Sequence, residues 1–331
     1  MGVKNKMDLN NNFNSVSKEY DSNRAEIQHI FLKFSKSLEE NTLSSIKAYF
    51  TSNTKAYFSN LGQFESTDAI IAGLTHSGPE VEMSRYKVTN SYVAVSGDQA
   101  QQSAYLMGVL ANDIGKEKLD TFLFGGHFAN TYIHTAEGWK ISELRFELDW
   151  YQGNHDYVAN WKLDDTRGGW RKKIVAPTIL SELDAPWRVF PNPDEQGTDE
   201  EQIAETYIRY SWALDQGDFD LLAKTFTQDA KADMSPFGPM DGQREIVSLL
   251  KLLRLGHPYM QHAATNFRVK VTGDTATMDV YRIVPFVPTK ESLDAPIFGA
   301  RYESRLRRDG GVWKFEWLHY IPGWVRGDES I

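Results

Sequence analysis

The chain has 331 residues, of which 41% are hydrophobic and 24% charged, a composition that excludes a disordered or collagen-like protein and fits about two globular domains. The formal net charge of −9 argues against nucleic acid or an anionic membrane surface as a partner. The absence of cysteine excludes disulfides, zinc–thiolate sites and thiol nucleophiles.

The first 23 residues are polar and rich in asparagine. They lack the apolar stretch of a signal peptide, and no run of about 18 apolar residues occurs anywhere in the sequence. We therefore predict a flexible segment over residues 1–23, no membrane association and a cytoplasmic protein.

From residue 26 onward the chain contains an internal repeat. The segment that starts at Glu26 aligns with the segment that starts at Gln202 at an offset of 176 residues, which becomes 174 after a two-residue slip. The aligned pairs include Ile27 and Ile203, Phe31 and Tyr207, Phe34 and Tyr210, Leu38 and Leu214, Phe50 and Phe226, Asn90 and Asn266, and Trp139 and Trp313. Chance does not hold a register over that length, so we infer a duplicated domain.

The second copy indicates which elements each domain contains. A helix is predicted by apolar or amphipathic residues at spacings of four, three and four, namely Ile203, Tyr207, Tyr210 and Leu214. It begins near Thr198 and ends at Gly217, and a short helix over 219–226 and a third helix after Gly242 follow. Beyond Pro258, apolar and polar residues alternate around two glycine turns, which predicts antiparallel hairpins. Each copy is therefore expected to be an α+β domain of about three helices and an antiparallel sheet.

These patterns place the first domain at residues 24–153 and the second at 199–331. The connector between them, residues 154–198, carries Trp161, Trp170 and Trp187. Because exposed tryptophan is unfavourable, we expect the connector to pack across one or both domains.

Four stretches of the second copy carry a family resemblance: YIRYSWALDQGDFDLLAKTFTQDA, GPMDGQREI, HAATNFRVKVTGDTATMDVY and RYESRLRRDGGVWKFEWLHYIPGW. They resemble the SnoaL-like branch of the nuclear transport factor 2-like superfamily, and the match as a whole covers nearly all of 200–327. That branch is similar to scytalone dehydratase, bile acid dehydratase, hexachlorocyclohexane dehydrochlorinase and ketosteroid isomerase. The resemblance implies two tandem cones, each a curved sheet wrapped by helices around a ligand pocket. It also implies that the copies pack as an internal pseudo-dimer with two-fold-like burial of their strand faces. Further homo-oligomerisation stays open.

The same resemblance implies a catalytic dyad. In dehydratase-like and dehydrochlorinase-like members an Asp near the end of the first helix pairs with a His before the central strands, and Asp215 and His262 occupy the matching positions. Elimination needs a base near neutral pH, and a buried carboxylate orients the imidazole tautomer. Tyr210 matches the group that assists the leaving group. The alternative interpretation makes Asp215 a solvated helix cap and His262 a structural histidine.

Four further residues are candidates for binding the substrate. Tyr207 lies one helical turn before Tyr210. Arg301 and His319 lie on late strands, where they would supply charge for a carboxylate or a leaving group. Phe286 lies where scytalone dehydratase-like members carry a second histidine, so no two-histidine relay is expected. A core or surface role is the alternative for each.

The first copy differs at the dyad. The aligned pairs are Glu39 and Asp215, Phe34 and Tyr210, and Tyr86 and His262. An unperturbed tyrosine titrates near pKa ~10, so a Glu–Tyr pair is a different acid–base system, and we expect this copy to have a degenerate site. Three polar residues leave a second, different pocket open: His76, His127 and Arg145.

The sequence contains no cluster with metal-ligand spacing, no phosphate-binding loop and no serine-hydrolase elbow, so we expect no metal and no cofactor. The favoured function is a cofactor-independent lyase, a dehydratase or related elimination enzyme, for a small apolar cyclic substrate. One alternative is a cyclase or isomerase of natural-product metabolism; it is weaker, because the Tyr and protonated Asp of an isomerase oxyanion hole have no clear counterparts. The other alternative is a non-catalytic protein that binds a hydrophobic ligand or a partner.

Overall fold

The computed structural model describes residues 21–76, 78–115, 118–163, 179–256, 261–285 and 297–325. Most of the N-terminal segment, Trp170 and Phe286 lie outside the described residues. Within these ranges no helix combines the length and the hydropathy needed to cross a membrane.

The first domain contains two α-helices, a 3-10 helix and six strands. These are α1 (Asn23–Glu39), the 3-10 helix (Leu43–Tyr49), β1 (Phe50–Phe58), β2 (Gly62–Glu65), α2 (Thr67–Leu74), β3 (Met83–Ser96), β4 (Gln99–Asp113), β5 (Leu119–Thr135) and β6 (Gly138–Gly153). The strands form one sheet in the order β2-β1-β6-β5-β4-β3. All neighbours are antiparallel except β1 and β6.

The second domain repeats this arrangement. The described parts of the connector, residues 154–163 and 179–198, contain two 3-10 turns and a short helix. The connector elements are His155–Val158, Glu182–Asp184 and α3 (Pro186–Val189). The domain elements are α4 (Asp199–Gln216), α5 (Phe219–Ala223), β7 (Phe226–Met234), β8 (Gly238–Asp241), α6 (Gln243–Gly256), β9 (Ala263–Thr272), β10 (Thr275–Pro285), β11 (Ile297–Asp309) and β12 (Val312–Val325). The sheet order β8-β7-β12-β11-β10-β9 matches that of the first sheet, which confirms two tandem α+β domains.

Helix α4 has the cap and the buried face that its sequence predicts. The Thr198 hydroxyl accepts from the Glu201 backbone N–H, and the Glu201 carboxylate accepts from the Thr198 N–H, which completes a capping box. Gly217 ends the helix in the left-handed region, at φ 74°. The predicted stripe faces the core, and its aromatic members Tyr207 and Tyr210 are fully buried.

The prediction of a helix through residue 226 is wrong. Helix α5 ends at Ala223, and Phe226 begins strand β7, which pairs in parallel with β12. The side chains of β7 are only partly apolar, with Asp229, Lys231 and Asp233 among them. The position of such a strand depends on its hydrogen bonds to β12 and not on an alternation of apolar and polar side chains. The local sequence therefore does not predict it.

The connector contacts both domains. Trp161 packs edge-on against Phe124 of the first domain, with ring centroids 5.0 Å apart. Trp187 stacks on Tyr92 of β3 at 4.6 Å and lies 6.5 Å from Trp212 of α4. The ring of Trp187 therefore lies between the first sheet and the first helix of the second domain.

The packing of the two domains is not two-fold symmetric, in contrast to the expectation from sequence. Tyr105 on the outer face of β4 is 1% exposed, whereas its aligned residue on β10, Tyr281, is 42% exposed. Trp187 and Trp212 help to cover the outer face of the first sheet, and Tyr105 and Ala129 from that face join the apolar cluster of the second domain. The interface thus joins the first sheet to α4, to the connector and to strand β9 of the second domain.

Candidate active site

Asp215 and His262 form a buried pair in the second domain. Asp215 lies in the last turn of α4, and His262 directly precedes β9. The Nδ1 atom of His262 lies 2.5 Å from Oδ1 of Asp215, and the backbone N–H of His262 donates to Oδ2 at 2.7 Å. Because the carboxylate accepts from Nδ1, the neutral ring carries its lone pair on Nε2, the nitrogen that can take a proton.

A third donor to this carboxylate comes from the first domain. The hydroxyl of Tyr105, on β4, donates to Oδ2 of Asp215 at 2.7 Å. Burial, together with the negative charge of Asp215, raises the pKa of Tyr105 well above its ordinary value, so the phenol stays protonated and remains a donor. Sequence reasoning missed Tyr105, because the contact joins residues 110 positions apart and no local pattern marks it.

The first domain also holds the backbone on both sides of His262. The Gln261 side chain accepts from Trp150 Nε1 at 2.8 Å and donates to a backbone carbonyl of β5 at 2.8 Å. The Asn90 side chain donates to the His262 carbonyl at 3.0 Å and accepts from the Ala264 N–H at 2.7 Å. The loop that carries the histidine is therefore bound to the first domain by two amide side chains.

The electrostatics of the site favour a neutral imidazole. Burial lowers the pKa of His262; the positive charge of Arg282 also lowers it, while Asp215 opposes both. A neutral ring at neutral pH can act as a general base. Arg254 on α6, another residue not foreseen, donates from Nε and Nη2 to the Asp215 carbonyl at 3.0 and 2.8 Å and so places a positive charge at the C-terminal end of α4.

Tyrosines of α4 lie beside the dyad. The ring of Tyr210 is 6.5 Å from the His262 ring and 5.7 Å from that of Tyr207. Tyr302 of β11 lies 6.1 Å from Tyr210. Burial raises the pKa of Tyr207 and Tyr210 well above the ordinary value, so both remain protonated hydrogen-bond donors.

The structure does not bring Arg301 and His319 to the dyad. Both lie on the outer face of the second sheet, where each approaches the Glu303 carboxylate. The intervening Tyr302 points to the interior because side chains alternate along a strand. Phe286 lies outside the described residues. Of the three candidates for substrate binding that the structure describes, Tyr207 lies next to Tyr210.

Comparisons with known proteins agree with this architecture. The SnoaL-like domain model matches the chain twice, over residues 21–145 and 195–319. The chain belongs to the SnoaL-like domain family. An uncharacterized protein of Mycobacterium bovis is 31% identical over 118 residues, which are 35% of this chain and 80% of that protein, and an uncharacterized protein of Mycobacterium tuberculosis matches to the same extent.

Solved structures similar to this SnoaL-like protein include one from Nostoc punctiforme with a cystatin-like fold. It is 21% identical with a TM-score of 0.34, and the match covers 41% of this chain and 96% of that one. A second is the hexachlorocyclohexane dehydrochlorinase of Novosphingobium barchaimii, at 21% identity and a TM-score of 0.35. That match covers 40% of this chain and 90% of the dehydrochlorinase.

The first SnoaL-like domain keeps the backbone geometry of the dyad with different side chains. The Tyr86 N–H donates to the Glu39 carboxylate at 2.7 Å, the counterpart of the bond from His262 to Asp215. Burial and the charge of Glu39 raise the pKa of Tyr86 to about 12. The phenol of Tyr86 therefore cannot serve as a base near neutral pH.

Another His–Asp pair lies at the interface. His127 Nδ1 is 2.8 Å from Oδ2 of Asp149, and its ring is 5.3 Å from that of Trp212. Burial lowers the pKa of His127, but the hydrogen-bonded Asp149 carboxylate outweighs burial and the pKa is raised. Of the other polar residues noted in this copy, His76 approaches a backbone oxygen and Arg145 pairs with acidic side chains. The described residues contain no cluster of three or more potential metal ligands.

Proposed function

We propose that this SnoaL-like protein is a lyase that eliminates water or a similar leaving group from a small, largely apolar cyclic substrate in its second domain. The observation that carries the proposal is the buried pair of Asp215 and His262, with Nδ1 of the imidazole held by the carboxylate. A neutral base held by a carboxylate and bordered by protonated phenols is the machinery that removal of a C–H proton requires.

The reaction assigns one role to each group. Nε2 of His262 takes the proton of a substrate C–H bond, and the electron pair of that bond forms the new double bond. The bond to the leaving oxygen breaks as this oxygen takes the proton of Tyr210 and departs as water. The imidazolium then returns its proton to the tyrosinate, so that substrate gives alkene and water with every group of the enzyme restored.

The surrounding residues support these roles. Asp215 stabilises the imidazolium that forms, and the hydroxyl of Tyr105 together with two N–H donors of His262 orients the Asp215 carboxylate towards the ring. The rings of Tyr207, Tyr210 and Tyr302 offer flat, apolar faces to a cyclic body. Each proton transfer is assigned to a side chain of the protein, so the proposal requires no cofactor.

Identification of a co-purified ligand tests the proposal. Native mass spectrometry of the purified protein, followed by denaturation and analysis of the released compound, supplies the candidate substrate or product. Incubation of this compound with the protein in D2O should exchange the reacting C–H hydrogen for deuterium, and His262→Gln should abolish the exchange. A tightly bound compound that neither exchanges nor reacts would identify a binding protein instead.

A further inference from the structure

Arg282 is a buried cation that no residue in the described part of the chain neutralises. It lies on β10, its side chain is on the inner face of the second sheet, and the residue is 9% exposed. It forms no salt bridge with any residue that the structure describes. Its Nε and Nη1 atoms are buried and have no hydrogen-bond partner within the same ranges. Unpaired buried charge is costly, so such an arrangement calls for a reason.

Two aromatic rings offset part of the free-energy cost of burying the Arg282 charge. The guanidinium carbon of Arg282 lies 5.1 Å from the ring centroid of Tyr302 and 5.0 Å from that of Tyr320. The hydroxyl of Tyr207 is a second buried polar group without a partner among the described residues. A cation and a phenol thus remain with unused donors in one interior.

The first domain shows that the fold does not need these polar groups. It has the same aromatic framework built from apolar residues; the aligned pairs are Leu106 and Arg282, Phe31 and Tyr207, Phe34 and Tyr210, Phe128 and Tyr302, and Phe146 and Tyr320. The strand register agrees, since Phe128 pairs with Phe146 as Tyr302 pairs with Tyr320. At these five aligned positions the second interior carries one guanidinium and four hydroxyl groups that the first lacks, so the shared packing does not require them.

These polar groups lie next to the dyad. Arg282 pairs in the sheet with Ala264, two residues beyond His262, and its charge acts on the His262 ring. Tyr210 contacts both Tyr302 and His262. A ligand held by Arg282 is thus positioned for contact with the base.

We propose that Arg282 binds a carboxylate on the ligand of the second domain, so that the substrate class is a small cyclic carboxylic acid. This proposal rests on the proposed function only in that the ligand is called a substrate. The evidence for an anion-binding site comes from Arg282 and does not depend on the reaction. One guanidinium balances one negative charge, and its planar donors match a carboxylate. The surrounding phenols offer further donors and flat faces for a ring.

Calorimetric titration with paired probes tests this proposal. Benzoate and cyclohexanecarboxylate are compared with benzamide and cyclohexanecarboxamide, which have the same shape without the charge. The full-length protein should bind the acids about 10-fold or more tightly than the amides, the ratio expected for a charge-assisted contact. Arg282→Leu introduces the residue that the first domain carries and should remove this preference.

Three further measurements keep the test decisive. Arg301→Leu, a partly exposed arginine on the outer face, should leave the preference unchanged. Benzoate should raise the melting temperature of the wild-type protein and not that of Arg282→Leu, which should itself melt higher than wild type without ligand. Equal affinity for acids and amides, no binding of either acid, or an unchanged preference in Arg282→Leu would overturn the proposal.

Failure of the elimination reaction is distinguishable from failure of the anion site. His262→Gln removes the base but leaves Arg282 and the tyrosines in place, so it should retain the preference for acids. A protein that prefers the carboxylate probes but neither exchanges nor converts its co-purified compound would refute the lyase and keep the anion site.

Discussion

Tyr105 of the first domain donates a hydrogen bond to Asp215 of the second, with an oxygen–oxygen distance of 2.7 Å. The domain without the His–Asp dyad thereby supplies one of the donors that hold the dyad of the other domain. Tyr281, the aligned tyrosine of the second domain, is on an exposed face. The two tyrosines of this repeat thus form a natural pair of test and control.

Tyr105→Phe should lower the free energy of unfolding and raise the pKa of His262. Removal of a hydrogen bond to a charged acceptor costs about 1.5–3 kcal/mol in the free energy of unfolding. Without this donor the Asp215 carboxylate stabilises the imidazolium more strongly, so the pKa of His262 should rise. Urea denaturation and NMR titration of the imidazole measure the two effects. Tyr281→Phe should change the free energy of unfolding by less than about 0.5 kcal/mol and leave the His262 pKa unchanged; equal effects of both variants would contradict the assigned role.

Asp215→Asn should abolish turnover, whereas Glu39→Gln should leave it intact. An amide cannot hold the imidazole in the same tautomer or stabilise the imidazolium, and the comparable change in a Ser-His-Asp triad lowers kcat by about 10⁴. The measurement is the rate of deuterium exchange or product formation with the co-purified compound. Loss of activity in Glu39→Gln with retention in Asp215→Asn would move the site to the first domain.

The two buried histidines should impose opposite pH dependences on stability. The pKa of His262 is lowered in the folded state, so below about pH 6.5 the unfolded state binds more protons than the folded state. The free energy of unfolding therefore decreases as the pH is lowered through this range. The folded pKa of His127 is raised, so its contribution is complete below about pH 6.5 and is lost as the pH rises through the folded pKa.

Denaturation curves recorded across this pH range separate the two histidines. His262→Gln should flatten the loss of stability on the acid side, and His127→Gln should flatten the loss on the alkaline side. Each variant is the control for the other, because His262→Gln should leave the alkaline side unchanged and His127→Gln should leave the acid side unchanged. An unchanged acid side in His262→Gln would show that the imidazole is not buried in its neutral form.

Asn90→Gly should loosen the histidine loop without backbone strain. Asn90 has φ 50°, a conformation that glycine adopts freely, so the variant removes only the two side-chain hydrogen bonds to residues 262 and 264. The expected cost is about 1–3 kcal/mol in the free energy of unfolding, with faster amide exchange at Ala264. Asn266 has φ 55° at the aligned position, and Asn266→Gly is the control for the change of backbone entropy. Exchange at Ala264 as slow as in wild type would contradict the anchoring role.

The local sequence pattern was sufficient to predict those elements whose residues show clear helical spacing and capping residues. Helix α4 was predictable because four residues with helical spacing stand between a capping threonine and a glycine. Strand β7 was not, because three of its nine residues are charged and its position depends on pairing with β12. A strand whose side chains do not alternate clearly is recognised only in the sheet that contains it.

The dyad and its supports differ in the same way. Asp215 and His262 were named from a family resemblance, and they lie 47 residues apart within one domain. Tyr105 and Asn90 lie 110 and 172 residues from the partners that they hold. Their contacts depend on how the two domains pack against each other, and the spacing of residues in the sequence does not reveal this packing.

The sequence by itself determined that the chain is one α+β domain repeated, and that only the second copy has Asp and His at the two positions where the family resemblance implies a dyad. The repeat, helical spacing and glycine turns suffice for the domain organisation because they can be recognised in the sequence without knowledge of the packing, and the family resemblance points to the two dyad positions. Only the tertiary structure decided that the domains pack asymmetrically, that Tyr105 of the first domain donates to Asp215, and that Arg282 is buried with no counterion among the residues that the structure describes. These features follow from long-range packing, in which the burial of Trp187 and Trp212 against the first sheet sets which side chains meet.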